Sequence, residues 1–530
     1  MSLKFAHGSS ESYPYPLLIG KLLSGLSQHP DQHIISNGKT FTYTSLERRI
    51  GLLAAGLSSI GVEQGTTVAV MNWDDHRYLE CYFAIPMMGA VLQTVNVRLS
   101  PAQILYTIRQ SGAEVLLYHP DFQDLVDAIS ADLPALRTKI RLDDGLDDGT
   151  DRLCYETLLS AQSTTFAFED FDEHALATTF HTTGTTGDPK AVAFSHRQIV
   201  LHTFAVAVAL ANQPEGQGFG IGDVYMPMTP MFHVHAWGIP YIATMLGVKQ
   251  VYPSRYDASR LIALQREHGV SFSHCVPTII QMLLDELQGG SVPSPWKMLV
   301  GGSALSPTLA ARARDKNILT VAGYGMSETG PVVSIARTNL GEPADGACRA
   351  GFPIPLVQTR TRDQGHLELE VRAPWLTQAY VGDEDASATL WSGGWLHTQD
   401  VAEYDTDGGI RIVDRLKDVI KTGGEWVSSS VLEELTMRHP SVLEAAFVGI
   451  PNDQWGERPV GMVVLRHGHE AAMLETIRDH LARYVTEGLL NRYALPDAIV
   501  TVASLPKTSV GKIDKKAIRI LMSHELIDNS

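Results

Sequence analysis

Cysteine is scarce: Cys81, Cys154, Cys275 and Cys348 are the only four among 530 residues, and no two stand in C-x-x-C spacing. They read as buried free thiols in a reducing compartment. Basic residues are also in short supply, with 42 Lys and Arg against 59 Asp and Glu and a net charge of −17. That balance argues against a nucleic-acid surface, which leans on Lys and Arg at phosphates, while leaving room for a local basic pocket. Long apolar runs are missing. The most apolar stretch, CYFAIPMMGAVLQTV, is broken by Pro86 and Gly89, and no charged segment followed by an apolar core opens the chain. A cytoplasmic protein without a transmembrane segment is the expectation. Internal repeats and low-complexity tracts are absent as well. What remains is an ordinary globular composition, 44% hydrophobic and 19% charged, in a chain too long for a single core.

The stretch TTFHTTGTTGDPKAVAFSH packs six threonines, two glycines and a lysine into residues 178 to 196. Threonine and glycine are poor helix material. A flexible linker would have that composition, but an apolar strand and a long apolar helix, AVAFSHRQIVLHTFAVAVALA, follow at once and pin the loop to a core. The composition fits a phosphate cradle: glycines admit an anion to the backbone, hydroxyls and N–H groups donate to it, and Lys190 adds positive charge. A Walker loop is excluded by spacing, because Gly184 and Gly187 are three apart and Ala191 stands where a magnesium-binding Ser or Thr would be needed.

Along the first four hundred residues helix-like and strand-like segments alternate, as in an α/β fold. In LSPAQILYTIRQSGAEVLLYHP, Ser100 caps a helix, Pro101 takes its first position, Gly112 ends it and a strand follows. Similar units surround TVAVMNW and VSFSHCVPTIIQMLL. The expected architecture is α/β: a large N-terminal domain over residues 1–413, of mainly parallel helix-covered sheets plus a β subdomain. A small mobile α+β C-terminal domain over 414–530 follows it, with a charged, glycine-containing junction suited to a hinge.

Further stretches are chemically loaded. GYGMSETG sets Glu328 among small residues after an apolar strand; GGWLHTQD and DRLKDVIKTGGEW follow, and PKTSVGKIDKKAIR brings Lys512 near the C-terminus. Each alone is weak. In this order they resemble the adenylate-forming (AMP-binding) superfamily of acyl-CoA synthetases, adenylation domains and luciferases, over nearly the whole chain.

The resemblance implies ATP, Mg²⁺ and coenzyme A as cofactor and co-substrates, and it assigns roles. Thr182, Thr183, Gly184, Thr185, Thr186, Gly187 and Lys190 match the loop that holds the β- and γ-phosphates, with Thr183 also beside the metal. Glu328 matches the Mg²⁺ acid. Tyr324, Gly325, Met326 and Ser327 flank the nucleotide, with Ser327 where the family usually has threonine. Gly301, Gly302 and Ser303 wall the adenine and the acyl carboxylate. Asp400 matches the ribose acid and Arg415 its neighbour. The motif commonly reads T-G-D where this chain has Thr398, Gln399 and Asp400, and the glutamine calls the local backbone geometry into question. Lys512 matches the lysine bridging carboxylate and α-phosphate, and Asp414 the hinge residue. Lys421, Gly423, Gly424 and Glu425 match the loop that forms a pantetheine tunnel once the small domain swings.

In MTPMFHVHAWGIPYIATML the resemblance puts His233 beside the reacting carboxylate and Trp237 as a gate over an apolar tunnel, while His235 reads as structural. No acid is present there to pair an α-amino group, and a buried unpaired ammonium is costly, so a substrate without one is favoured. With 18 residues after Lys512, no fused carrier domain is expected. The implied reaction is ATP-dependent fatty acyl-CoA synthesis, with medium or long chains foremost. Short-chain, methylthio-alkanoic or aryl acids compete, as does a stand-alone loader of a carrier protein. Homodimerisation and silencing by acetylation of Lys512 are further expectations from the resemblance.

Overall fold

The computed structural model describes residues 3–4, 9, 11–144, 153–182, 188–337, 346, 348–363, 367–466, 474–508 and 512–528. Two large sheets dominate the N-terminal body. One is six-stranded: Thr138–Arg141, Val115–Tyr118, Thr67–Met71, Val91–Thr94 and Leu176–His181 run parallel in that spatial order, and Ala191–Ser195 closes the edge antiparallel. The inner strands Val115–Tyr118, Thr67–Met71 and Val91–Thr94 are buried along nearly their whole length and rich in Val and Leu, as parallel strands covered by helices are. The other sheet is nine-stranded; its centre, from Ile318–Tyr324 through Trp296–Val300, Phe272–Cys275, Val224–Pro227 and Lys249–Tyr252 to His33–Ser36, is parallel. Antiparallel pairs finish both its edges.

Local signals explain the helices. Pro101–Ser111 begins at a capping box between Ser100 and Gln103 and ends at Gly112, whose φ is +65°. His196–Ala211 starts from an equivalent box, Ser195 with Gln198. Helix His76–Met87 carries Pro86 in its last turn, where the apolar run breaks, and Gly89 precedes strand Val91–Thr94.

After residue 350 the texture becomes antiparallel. Gln358–Asp363, Leu367–Arg372, Trp391–Ser392, Trp395–Tyr404 and Ile410–Arg415 form a five-stranded β subdomain. A second five-stranded sheet, Ile420–Thr422, Glu425–Val427, Val442–Asn452, Gly456–Leu465 and Ala498–Thr501, carries helices Ser429–Met437, Leu474–Thr486 and Lys515–Asp528. This is the expected α/β body with β subdomain and smaller α+β unit. No described helix is long and apolar enough to cross a membrane.

Candidate active site

The Thr/Gly loop joins two antiparallel neighbours. Strand Leu176–His181 pairs with Ala191–Ser195 up to His181 opposite Ala191. Beyond that rung, Thr182 N–H donates to the Lys190 carbonyl at 2.8 Å, and Lys190 N–H to Thr182 Oγ1 at 3.3 Å. The loop's ends are thus clamped together at the sheet edge. Thr183, Gly184, Thr185, Thr186 and Gly187 lie outside the described residues. Ala191 begins the following strand, so its departure from glycine is absorbed there.

Lys190 and Glu328 meet across a residue that the sequence did not single out. The Lys190 ammonium stands 4.8 Å over the Tyr380 ring, and the Tyr380 hydroxyl donates to Glu328 Oε1 at 2.6 Å. Tyr380 is 190 positions from the lysine and lies in an undistinguished LTQAYVGDED, so no local pattern marks it. Glu328 is buried in the short turn Ser327–Thr329. The turn before it admits only glycine at 325: a Cβ there would sit 1.4 Å from the Pro331 carbonyl oxygen. Met326 N–H donates to Thr329 Oγ1 at 2.9 Å, holding the turn shut.

Asp400 faces this turn. Its Oδ2 accepts from the Tyr324 hydroxyl at 2.7 Å and its Oδ1 lies 3.3 Å from Arg415 Nε. Burial pushes Asp400 above the usual carboxylate range while Arg415 opposes the shift, and Asp400 in turn raises the guanidinium. Burial beside Asp400 holds Tyr324 well above its ordinary value, so it stays a neutral donor.

Lys512, on the C-terminal segment, enters the N-terminal body. A Cβ on Gly302 would come within 3.1 Å of Lys512 Cε and 3.7 Å of Nζ, so the side chain runs directly over that glycine. Arg415, Asp400 and Glu328 all act on its ammonium, which burial pushes down to about 8. His233 faces the same space. Desolvation, then Lys512 and Arg98, lower it to about 3, so it is a neutral imidazole at working pH. The structure therefore gathers Lys512, His233, Gly302, Asp400, Arg415 and Glu328 around one cleft.

His233 and Trp237 bracket an unusual backbone. Val234, His235, Ala236 and Trp237 all have positive φ, from +47° to +59°, before Gly238 at +76°. A left-handed turn of non-glycine residues costs roughly 1–2 kcal/mol per residue, and it persists only where its surroundings over-determine it. Here they do. The Met231 N–H is held by Asp74 Oδ1 at 2.8 Å, the Phe232 carbonyl by Thr94 Oγ1 at 2.9 Å, and His235 Nε2 lies 2.7 Å from Thr178 Oγ1. The turn presses the Trp237 indole against His274, 5.2 Å between ring centres, and against Gly301, whose added Cβ would meet the ring at 3.1 Å. His235 is buried and tied to Thr178. Separately, a small pocket beside the sheet is lined by Leu210, Phe272, Leu299, Leu319 and Val321 together with Gln213, Gln217 and Lys297.

Other expected residues lie elsewhere. Ser303 is exposed beside Gly302. Gly423 and Gly424, both with positive φ, make the two-residue turn between Ile420–Thr422 and Glu425–Val427. Gly423 packs on Trp455 and Tyr493 of its own unit, and the Lys421 ammonium sits over Trp426, 5.3 Å from its centre. Their contacts, like the turn residue Glu425, belong to the C-terminal sheet rather than to Lys512. Asp414 sits at the junction itself: its Oδ2 accepts from both the N–H and the hydroxyl of Ser429 at 2.6 Å, and Lys515 Nζ donates to that hydroxyl.

A half-buried cation from the C-terminal unit, inserted among acids and glycines of a larger α/β body, defines a two-part enzyme. The chain belongs to the AMP-binding enzyme family: residues 25–381 match that family's profile, and residues 431–512 match the AMP-binding enzyme C-terminal domain. It is 38% identical to a long-chain-fatty-acid–CoA ligase of Thermus thermophilus over 90% of this chain and 89% of that protein. Identity to a 3-methylmercaptopropionyl-CoA ligase of Ruegeria lacuscaerulensis is 32%, over 95% of this chain and 97% of that one. Among solved structures, the anthranilate CoA ligase AuaEII in complex with anthranoyl-AMP shares the fold with a TM-score of 0.84 at 21% identity, over 96% and 98% of the two chains.

Proposed function

We propose that this protein is an AMP-forming acyl-CoA synthetase for medium- or long-chain fatty acids. The observation that carries the reading is Lys512 seated over Gly302 amid Asp400, Arg415, Glu328 and His233. Two anions, carboxylate and triphosphate, must approach each other, and a cation placed between them removes the repulsion and stabilises the charge that develops. A carboxylate oxygen attacks the α-phosphorus, the bond to pyrophosphate breaks, and an acyl-AMP forms. A thiolate then attacks the acyl carbon and AMP leaves.

In this reading Asp400 accepts the ribose hydroxyls, with Arg415 beside it, and Tyr324, Gly325, Met326 and Ser327 flank the base. Residues 182 to 187 and Lys190 receive the departing pyrophosphate. Glu328 suits Mg²⁺, which keeps much of its water and takes one or two carboxylates together with phosphate oxygens; by family resemblance Thr183 is the second residue assigned to the metal. Bound there, the metal would neutralise charge on the phosphates. Neutral His233 serves beside the acyl carboxylate, Gly301 and Gly302 wall it, and Trp237, packed against Gly301, gates the acyl tunnel. After adenylation the unit beyond Asp414 turns, withdraws Lys512 and presents Lys421, Gly423, Gly424 and Glu425 to coenzyme A. The chain then divides at residue 413/414.

The absence of an acid around His233 and Trp237 and the likeness to a long-chain-fatty-acid–CoA ligase support an aliphatic acid, and the likeness to a 3-methylmercaptopropionyl-CoA ligase makes a short thioether acid the second reading. We place the enzyme in the cytoplasm, as a homodimer. The test is thioester formation from ATP, CoA and Mg²⁺ across acids of increasing length, with 3-methylthiopropionate and benzoate included. Turnover peaking at eight carbons or more is expected. A peak at the thioether or aryl acid would replace the substrate, and acyl-AMP without thioester would point to a carrier-protein acceptor.

A further inference from the structure

Strand Trp395–Tyr404 is irregular where it matters. Glu368 pairs with Val401 and Glu370 with His397, so residues 398 to 400 stand opposite the single Leu369. Such a bulge re-aims side chains, and this one ends in Asp400. Gln399 sits in it with φ of +61°, the left-handed region that favours glycine. What fixes the bulge is a buried carboxylate on the neighbouring strand. Glu368 Oε1 accepts from the Gln399 backbone N–H at 2.9 Å and from its Nε2 at 3.1 Å, while Oε2 lies 2.9 Å from His397 Nδ1. Thr398 Oγ1 donates to the Leu369 carbonyl at 2.7 Å and accepts from Asp400 N–H at 3.2 Å, and the Gln399 carbonyl accepts from Leu416 N–H at 2.9 Å. The Thr398 hydroxyl, the Gln399 N–H, carbonyl and side-chain amide, and the Asp400 N–H are thereby tied before Asp400 reaches Tyr324 and Arg415.

We infer that Glu368 is a positioning residue for Asp400, acting through the bulge at residues 398 to 400, and that the Gln399 side chain is a second strap compensating for a backbone that glycine would adopt freely. One carboxylate oxygen serves both donors, so removing its charge loosens the backbone and the side-chain hold together. Hydrogen bonds to a charged group are among the strong ones. The consequence is read at the ribose: Asp400 would still be present and still acidic, but no longer held where both hydroxyls reach it. This rests on the reading of Asp400 as the ribose acid.

The experiment is equilibrium titration of the full-length protein with AMP, 2′-deoxy-AMP and 3′-deoxy-AMP, paired with thermal melting, so no acid substrate need be known. Wild type should prefer AMP over both deoxynucleotides, and Asp400→Asn should abolish the preference; if Asp400→Asn keeps it, the ribose reading fails. Glu368→Gln should lower the preference about tenfold, the size of a lost charged hydrogen bond. In the Glu368→Gln/Asp400→Asn double variant it should fall no further than in Asp400→Asn alone. A lowered melting temperature with the wild-type preference retained would reduce Glu368 to a structural role and overturn the inference. Gln399 variants keep the test open if Glu368→Gln does not fold. Gln399→Gly, suited to the backbone, should lose preference about two- to threefold, and Gln399→Ala, keeping the strain without the strap, should lose more; the reverse order would also overturn it.

Discussion

On the proposed function Lys512 is the residue on which the chemistry turns, and its environment makes a pH prediction. Burial, with Arg415 adding to it, lowers its ammonium to about 8, and the proposed adenylation needs the cation. As pH rises through about 8 the free enzyme loses that proton, so kcat/KM for ATP should fall along an alkaline limb there. Bound triphosphate favours the cation, so the corresponding limb in kcat should lie at higher pH. Initial rates from pH 6 to 10 check this, and Lys512→Arg, whose guanidinium does not titrate in that range, should lose the limb. Lys512, Glu328 and Asp400 were legible in the sequence because each stands in a patterned motif. Tyr380, which joins Lys190 to Glu328, was not: nothing near it in the chain marks it, and only the meeting of distant segments makes it a partner.

Among elements, those with local signals were readable and those imposed by their surroundings were not. Ser100, Pro101 and Gly112 specify their helix by caps and by a glycine at positive φ, and the structure follows them. The turn through Val234, His235, Ala236 and Trp237 is the opposite case. None of these residues favours the left-handed region, and tertiary ties to Asp74, Thr94 and Thr178 hold it there. Two buried alanines separate strain from burial. Ala243→Gly, in helix Ile239–Met245, should cost about 2 kcal/mol from helix propensity and a lost methyl. Ala236→Gly loses the same methyl but recovers roughly 1–2 kcal/mol of left-handed strain, so it should cost well under half as much. Urea midpoints of the two variants decide it, and equal losses would mean that the turn carries no strain. Gln399 belongs to this class as well, since a departure from glycine showed in the sequence but the Glu368 anchor that makes it tolerable did not.

At the scale of the whole molecule, the chain places a lysine from its last twenty residues in a cleft built mostly from residues 180 to 415. The order of the motifs carried that arrangement before any coordinates did. The sheet pairings that bring them together, such as Asp400 opposite Arg415, depend on register that no single motif states. Asp414, tied to Ser429 at the junction, is where this arrangement meets the C-terminal unit. The central claim is that Lys512 promotes adenylation from that cleft, and the most direct measurement is fatty-acid-dependent exchange of labelled pyrophosphate into ATP, without CoA, in wild type and Lys512→Ala. Robust exchange is expected in wild type and a loss of about 10²-fold or more in the variant, as removal of one key electrostatic group costs, with AMP binding retained. Exchange undiminished in Lys512→Ala would contradict the claim.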